Sequence, residues 1–268
     1  MPEGDTVWLA CARLHRALAG RALTRFELRV PRYATADLTG RAVDSVVARG
    51  KHILVRVEGG TTLHCHLRMD GRWRLERPGT RWRGGPGHQV RAVLANADMV
   101  AVGYRLHDVR LVPTTAEHLL VGHLGPDVLG PDWAPDEAVR RLASDPARPV
   151  GEALLDQRAL AGVGTLYRAE SLFLRGVSPW TPAGRVTDLP ALVDIVHRLM
   201  RANRDHDWQA TTGMLRPGST TWVFERAGRP CRRCGDGVRV ADQGRAPYGR
   251  PSYWCPTCQP GPGPERTD

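Results

Sequence analysis

Residues 2 and 3, a proline followed by a glutamate, place a potential nucleophile beside a carboxyl group. The chain starts MPEG, and methionine aminopeptidase removes Met1 when the second residue is small, as proline is. The secondary amine exposed on Pro2 could attack an aldehyde carbon and form an iminium ion, which is an electron sink. Chain-terminal amines titrate near about 7.7–8.0, so part of the population is neutral, and Glu3 could move protons beside it. Taken alone, such a start is common and usually carries no chemistry.

A single ammonium group is the second candidate. Lys51, in the stretch RGKH, is the only lysine among 38 lysine and arginine residues. An amine can take up and release a proton, whereas a guanidinium stays protonated and presents a broad planar fork. If a position both contacted an anion and shared in proton transfer, arginine would be a poor substitute for lysine there. Chance retention on a surface strand is the alternative.

Four of the six cysteines form the pattern Cys-x2-Cys-x20-Cys-x2-Cys near the end of the chain. Each Cys-x-x-Cys turn supplies two thiolates, and four thiolates fill the tetrahedral shell of a closed structural zinc site. The spacing predicts one structural Zn²⁺, with a redox pair or a cluster as the alternatives, and a β-hairpin with a basic tip between the turns. The predicted ligands are Cys231, Cys234, Cys255 and Cys258. Cys11 and Cys65 are isolated and are predicted to be core residues.

The charge balance indicates a polyanionic partner. The net charge is +10 and the isoelectric point is about 10.0, which favours nucleic acid over a membrane surface or a general solubility effect. No apolar run approaches the roughly 20 residues that span a bilayer, and the N-terminus lacks the features of a secretion signal. We therefore expect a cytoplasmic protein with no membrane partner.

The elements that would position these groups change character along the chain. Residues 6–19 have helical spacing, with Asp5 as N-cap and Gly20 as stop. From about 22 to 112 the apolar period is two, which indicates a sandwich or barrel, and 78–88 form a long basic loop. Helices are predicted at 136–143, 149–160, 163–175 and 188–203.

The turn AGVG, between the second and third of these predicted helices, is a possible phosphate site. Gly162 and Gly164 would leave backbone amides uncovered just before a helix start, a geometry that can bind phosphate. Helix pairs joined by glycine turns are nevertheless usually structural.

The fold is predicted to be α+β with several parts. A leading helix and β-sandwich occupy 1–121, and a hinge rich in Gly and Pro occupies 122–135. A helical domain with a helix-two-turn-helix follows at 136–224, then a four-cysteine zinc finger at 225–260 and a disordered tail at 261–268.

In combination, N-terminal PEG, RGKH, LLDQRALAGVGTLYRAE and the cysteine module with GRPSYWCPTC resemble the Fpg/Nei family of bifunctional DNA glycosylases over nearly the whole chain. The resemblance is strongest to endonuclease VIII (Nei) and its second, actinobacterial branch. GHLGPDVL and VFERAGRPCRRCG read like Nei, and 204–222 lacks the longer loop that Fpg enzymes fold over 8-oxoguanine.

The resemblance implies a role for each matching residue. Pro2 would form the Schiff base with C1′ of the damaged nucleoside, and Glu3 would be the general acid/base. Lys51 would grip phosphate and assist β-elimination, and Arg250 would hold phosphate and assist δ-elimination. Residues inserted into the gap left by the flipped base would be Arg68, Met69 and Asp70, of which unbranched, apolar Met69 is the expected wedge.

Three positions depart from the family pattern. Thr165, next to Gly164 in the predicted phosphate turn, replaces the usual Asn and has a shorter reach. His123 replaces an arginine before GPD and could make a DNA contact pH-dependent. Thr6 stands where many relatives have Glu. These changes bear on the strength and range of activity more than on its existence.

The sequence therefore predicts a glycosylase and abasic-site lyase of base excision repair that removes oxidised bases, pyrimidines favoured, by β,δ-elimination. Its partner would be damaged DNA, double-stranded, single-stranded or abasic, and the protein would be a monomer associated with the nucleoid. The alternatives are an enzyme that prefers 8-oxoguanine and a catalytically inert zinc-ribbon protein that binds nucleic acid.

Overall fold

The computed structural model describes residues 2–245 and 249–264. The chain divides into two compact units, Met1–His123 and Leu124–Asp268, and the division falls within the stretch predicted as a hinge. The predicted removal of Met1, the hairpin tip at 246–248 and the last part of the predicted tail, 265–268, lie outside the described residues.

Helix α1 (Gly4–Leu18) opens the first unit. It buries an apolar stripe that includes Val7, Cys11 and Leu14, as helical spacing predicts. The prediction that Asp5 is the N-cap is wrong, because the helix begins two residues earlier than predicted and Glu3 occupies the cap position. Asp5 instead lies in the first turn, where a carboxylate still faces the positive end of the helix dipole.

Two four-stranded antiparallel sheets form the predicted sandwich, with strand orders β1-β6-β7-β5 and β2-β3-β4-β8. Their inner faces and α1 enclose one apolar core, which includes Cys65 as predicted. The strands are β1 (Arg25–Leu28), β2 (Val43–Arg49), β3 (His52–Val57), β4 (Thr61–His66), β5 (Arg72–Glu76), β6 (Val90–Ala95), β7 (Val100–Tyr104) and β8 (His107–Pro113). A short helix, α2 (His118–Val121), ends the unit.

The second unit is helical and ends in a β-hairpin. Its elements are α3 (Pro135–Leu142), α4 (Val150–Ala153), α5 (Thr165–Arg175), α6 (Leu189–Asn203), β9 (Arg239–Gln243) and β10 (Arg250–Trp254). The Asp188 carboxylate caps α6 by accepting from the Ala191 N–H at 2.9 Å. No helix in the described part of the chain has the length and apolar character needed to cross a membrane.

The predicted helix over 149–160 is wrong, because only Val150–Ala153 is helical and turns follow. The Asp156 carboxylate accepts the Arg158 backbone N–H at 3.0 Å. The Gln157 amide donates to the carbonyls of Leu155 and Val163. Such side-chain bonds to nearby backbone compete with helix hydrogen bonds, and here they favour the turns.

Candidate functional site

Pro2 and Glu3 lie at the positive end of α1. Pro2 is half-buried, whereas Glu3 has extended backbone and is fully buried, with 0% of its surface exposed. The Glu3 carbonyl accepts the Val7 N–H at 3.0 Å and so begins the helix. The first helical turn thus fixes a buried carboxyl group next to a more accessible proline. This arrangement suits proton transfer by Glu3 to and from a group bound at Pro2.

Lys51 lies in the tight turn that joins β2 to β3. Arg49 and His52 face each other across the ladder, and Gly50 between them has φ +57°, the left-handed backbone that glycine adopts without steric cost. Lys51 is half-buried. Burial lowers the pKa of His66 and the Lys51 charge lowers it further, so this ammonium and the end of β4 share one electrostatic environment.

A stack of histidines follows Lys51 on the same sheet. The Nδ1 of His52 lies 2.8 Å from the Nε2 of His64, and the His64 Nδ1 lies 3.1 Å from the carbonyl of Asp108. Because that carbonyl can only accept, His64 carries its proton on Nδ1 and His52 donates from Nδ1 to His64. His66 packs edge-on against His52, with ring centroids 5.1 Å apart.

Burial keeps this histidine stack neutral. Desolvation, with repulsion from the neighbouring imidazoles, lowers the pKa of His52 to about 3. Desolvation and the Lys51 charge lower the pKa of His66 to about 4. Burial also lowers the pKa of His64. His123 is exposed at the end of the unit, and its ring centroid lies 6.4 Å from that of His52, so the predicted DNA-contact residue His123 borders the stack.

The three residues predicted to enter the DNA lie in one loop between β4 and β5. Arg68, at φ +51°, donates to the Asp108 carboxylate at 2.8 Å. Asp70 pairs with Arg105 and His107. Met69 is 60% exposed, so it alone of the three projects an apolar tip while its neighbours hold the loop.

In the second unit, the AGVG turn leads into α5. Gly164 is the N-cap residue of that helix, and Thr165 is its first residue and is buried. The prediction that the Gly162 amide is uncovered is wrong, since it donates to Gln157 Oε1 at 3.0 Å. Gln157 therefore closes the turn from the inside.

Arg250 begins β10 and borders a cleft of about 360 Å³. Asp156 lies at this cleft and pairs with both Arg148 and Arg158; hydrogen bonds from these two arginines lower its pKa. The backbone carbonyl of the next residue, Pro251, accepts a hydrogen bond from the buried guanidinium of Arg168 at 2.5 Å. An exposed arginine thus stands on a strand that the core of the unit holds in place.

The four predicted ligand cysteines converge. Their sulfur atoms all lie within 4.8 Å of one another. Two measured separations are 3.9 Å, for Cys231 with Cys258, and 3.5 Å, for Cys234 with Cys255. A tetrahedral site with Zn–S bonds of about 2.3 Å requires sulfurs roughly 3.8 Å apart. The cluster therefore has the dimensions of a four-thiolate metal site.

Hydrogen bonds preorganise both cysteine turns. The Arg233 N–H donates to Cys231 Sγ at 3.4 Å, a contact that favours the thiolate. The Cys255 N–H donates to Gln259 Oε1 at 3.0 Å, and the Thr257 hydroxyl donates to the Asp236 carboxylate at 2.6 Å, which joins the turns. These contacts orient the two turns relative to each other.

Glu170 is a buried anchor that the sequence analysis missed. Its carboxylate accepts the backbone N–H groups of Trp222, Val223 and Phe224 at 2.7–2.8 Å and the hydroxyl of Thr211. Burial raises the pKa of Glu170, and these donors oppose the rise. The carboxylate thereby fixes the irregular segment that precedes the cysteine cluster.

Polar residues on apolar stripes could have identified such anchors. Arg168 and Glu170 lie in α5, where every residue from Thr165 to Phe173 is buried. Two charges on the buried part of a helix indicate specific partners, because unpaired buried charges are costly. The partners themselves lie 41 to 83 residues away along the chain and leave no local signal.

Similarity to known proteins covers both units. Residues 1–113 match the formamidopyrimidine-DNA glycosylase N-terminal domain, and 124–205 match the formamidopyrimidine-DNA glycosylase H2TH domain. A protein named probable endonuclease 8 2, from Streptomyces coelicolor, is 58% identical over 98% of this chain and 96% of that protein. A protein named DNA-(apurinic or apyrimidinic site) lyase Nei2, from Mycolicibacterium smegmatis, is 44% identical over 97% of this chain and 99% of its own length.

Solved structures agree on the fold. The Lactococcus lactis Fpg (MutM), in a complex with DNA that contains N7-benzyl-Fapy-dG, matches with a TM-score of 0.80 at 21% identity, over 97% of this chain and 100% of that one. The chain thus has an Fpg-like fold with a sandwich, a helix-two-turn-helix unit and a four-cysteine hairpin. The chain therefore belongs to the Fpg/Nei family, in its second endonuclease VIII branch.

Proposed function

We propose that this protein is a bifunctional DNA glycosylase and abasic-site lyase of base excision repair, with oxidised pyrimidines as the favoured lesions. The observation that carries the proposal is the pair at the chain start: Pro2 stands beside a fully buried Glu3 at the first turn of α1, in a chain of this family. Relatives named endonuclease 8 and abasic-site lyase support the reaction class.

The chemistry follows from an amine and a carboxyl group. The Pro2 nitrogen attacks C1′, the base departs with a proton, and the sugar ring opens to an iminium ion. Glu3 supplies and removes protons at the sugar during these steps. The iminium ion acidifies the C2′ proton, whose loss expels the 3′ phosphate by β-elimination. A second elimination expels the 5′ phosphate, and water then releases the sugar fragment and the free amine.

The other residues would bind and orient the DNA. Lys51 would hold a backbone phosphate through an ammonium that can also exchange protons. Arg250 would contact phosphate from its strand in the second unit, and the α5 start at Gly164 and Thr165 would bind another through the helix N-terminus. Exposed Met69 would fill the gap left by the extruded base, which lowers the cost of keeping that base outside the stack.

The cysteine cluster fits Zn²⁺ in a structural role. Four thiolates leave no open coordination position, so the ion would stabilise the hairpin that carries Arg250 without touching substrate. A repair enzyme of this kind would work in the cytoplasm at the nucleoid, where its substrate is.

Reductive trapping tests the function. The protein is mixed with DNA that contains an abasic site, borohydride is added, and the adduct is digested and mapped. We expect a covalent adduct on the peptide that begins at Pro2, and intact mass should show that Met1 is absent from the active protein. A protein that binds this DNA but never forms the adduct would be a binding module instead.

The matched variant Glu3→Gln separates formation of the covalent adduct from release of the damaged base. It keeps the amine but removes the proton-transferring carboxyl group, so it should still trap an abasic site while losing release of an oxidised pyrimidine. Undiminished base release by Glu3→Gln would remove Glu3 from the mechanism.

A further inference from the structure

The long basic loop between β5 and β6 has no part in the proposed reaction. We define the strap as residues 77–89, which run back across the outer face of the sheet β1-β6-β7-β5 from the end of β5 to the start of β6. The strap covers a second apolar cluster on that face, formed by Val93, Val100, Val102 and neighbouring side chains, with Trp82 packed against it. The main core lies on the other side of the same sheet.

The strap has a defined conformation. Gly84 passes directly over Tyr104, where a Cβ atom would come within 2.1 Å of the ring, so only glycine fits. The Gly84 carbonyl accepts from the Arg72 guanidinium, and the Arg105 N–H donates to the Gln89 carbonyl at 2.8 Å. The apolar cluster therefore explains Trp82 and Gly84 as structural residues, but it does not explain the charges that the strap carries.

Cationic side chains dominate the outer surface of this sheet and strap. On β5, Trp73 and Leu75 pack inward, so the alternate residues face outward; β1 has the same alternation. The outer basic face comprises seven arginines and two glutamates: Arg25, Arg29, Arg72, Arg74, Arg77, Arg81 and Arg83, with Glu27 and Glu76. Over the whole chain the ratio is 38 lysines and arginines to 28 acids, so the bias here exceeds the general richness in arginine.

Three of these guanidiniums form no ion pair within the described part of the chain. Glu27 pairs with Arg25 and Arg29. Within residues 2–245 and 249–264, no carboxylate oxygen lies within 4 Å of the guanidinium of Arg77, Arg81 or Arg83. All three residues are exposed. Uncompensated cations on one rigid face repel one another unless an anion binds between them.

Trp82 indicates which class of anion the outer basic face would bind. Its ring lies beside two guanidiniums, with the Cζ atoms of Arg25 and Arg29 at 5.4 and 5.9 Å from the ring centroid. A cleft of about 440 Å³ opens beside it, lined also by Arg81 and Pro86. Aromatic rings interleaved with cations bind single-stranded nucleic acid, because bases stack on the ring while the cations contact phosphates. A membrane surface would instead require an amphipathic helix or apolar insertion, and the described residues 77–89 contain only one short helical turn, Gly87–Gln89.

We propose that the outer basic face is a second nucleic-acid-binding surface, which holds a single strand with a base in the cleft beside Trp82. It is separate from the catalytic residues, because the sheet and the main core lie between the strap and the sheet that carries Lys51. Such a surface would keep the protein on DNA while the catalytic residues search for or leave a lesion. It requires only binding and does not depend on the proposed chemistry.

Binding of lesion-free DNA tests the surface. The probe is a fluorescein-labelled oligothymidylate of about 16 nucleotides, the upper site size of one single-strand groove. The strap variant combines Arg77→Gln, Arg81→Gln and Arg83→Gln. The control variant removes equal charge from exposed helix positions with Arg140→Gln, Arg198→Gln and Arg201→Gln.

We expect the strap variant to bind at least about fivefold more weakly than the control at about 0.1 M salt. Its log–log salt slope should be shallower by about 2, at roughly 0.7 per lost phosphate contact. Cleavage of a short abasic duplex at saturating substrate should be the same in both variants. Affinities that agree within about twofold would overturn the proposal.

Two further arms identify the ligand class. Trp82→Leu keeps the apolar packing but removes the stacking ring, so it should weaken oligothymidylate binding and leave binding of polyglutamate unchanged, with unfolding temperature as the check on folding. Equal affinity of the wild type for polyglutamate and oligothymidylate, or full affinity in Trp82→Leu, would contradict a nucleic-acid surface.

Occupancy of the catalytic site separates the two proposals. After borohydride has fixed abasic DNA to the wild type, the trapped complex should still bind oligothymidylate, whereas the trapped strap variant should not. Absence of trapping would count against the proposed function alone, because the binding comparison of the free variants still decides the role of the strap.

Discussion

The histidine stack beside Lys51 should make the stability of the first unit sensitive to acid. His52 has a folded pKa of about 3 against an ordinary value of 6.5, chiefly because burial disfavours its charged form. A lowered folded pKa means that the stabilisation is complete above pH 6.5 and is lost as the pH falls toward 3. At pH 5 the unfolded chain is almost fully protonated at this residue and the folded chain is not.

The size of the effect follows from the two pKa values. The unfolded pKa of 6.5 lies about 1.5 units above pH 5, whereas the folded pKa lies below it. At about 1.36 kcal/mol per unit, protonation of this residue therefore stabilises the unfolded chain relative to the folded chain by about 2 kcal/mol at pH 5. The matched variant is His52→Asn, whose amide N–H can replace the Nδ1 donor to His64 but does not titrate. Between pH 7.5 and 5, the wild type should lose about 2 kcal/mol more stability than this variant.

Hydrogen exchange read by mass spectrometry measures the local free energy of opening. Peptides that contain β3 and β4 should lose about 30-fold more protection in the wild type than in His52→Asn over the same pH change, after correction for intrinsic exchange rates. His88→Asn, at an exposed position on the strap, should behave as wild type. Equal pH dependence in wild type and His52→Asn would show that the stack is already charged or solvated, and the reasoning would be wrong.

Three other perturbations have definite expected outcomes. Glu170→Gln should destabilise the protein by about 3 kcal/mol in urea unfolding, since an amide cannot accept from all four donors; Glu137→Gln on the surface of α3 should cost less than about 0.5 kcal/mol, and equal losses would refute the anchor. Chelation should release one Zn²⁺ per chain and lower hydrogen-exchange protection around Cys234; unchanged protection would show that the fold does not need the ion. Lys51→Arg should retain most DNA binding yet lose strand cleavage in a gel assay, and wild-type cleavage would remove the explanation for the lone lysine.

Some features were predictable because their signal is local. Four cysteines in two Cys-x-x-Cys turns define a metal site by spacing alone, and their sulfurs converge as expected. Alternation of apolar residues predicted the sandwich, because a strand with one buried face has a period of two. The stop at Gly20 was also predictable, since its φ of +74° suits glycine.

The 149–160 segment was not predictable from periodicity. Its apolar residues have helical spacing, but Asp156 and Gln157 bind their own neighbouring backbone. The competition between these bonds and a helix is decided by small free-energy differences and by packing from distant residues. Arg148, eight residues before Asp156 along the chain, also pairs with that carboxylate.

The histidine stack could have been found by working out the hairpin register. Glu58, Gly59 and Gly60 form the turn between β3 and β4, and once Val57 faces Thr61 the ladder places His52 opposite His66. His64 is then the diagonal neighbour of His52 on the same face, within reach of a long or aromatic side chain. The sequence shows the three residues but not the register, and a slip of one residue would turn each side chain to the other face.

The division between reacting and supporting residues explains which parts of the site the sequence could reveal. A nucleophile, a metal ligand or a wedge is defined by its own chemistry, so residue type and short spacing suffice to propose it. A supporting residue is defined by its partner, and here those partners are far away along the chain: Arg168 donates to the carbonyl of Pro251, directly beside Arg250. Because that bond fixes the backbone and not a side chain, it holds the Arg250 backbone in place, and the Arg250 side chain can still move to contact a phosphate. The buried Arg168 of α5 thus positions the strand that carries the exposed charge of Arg250, and only the folded structure brings these two arginines together.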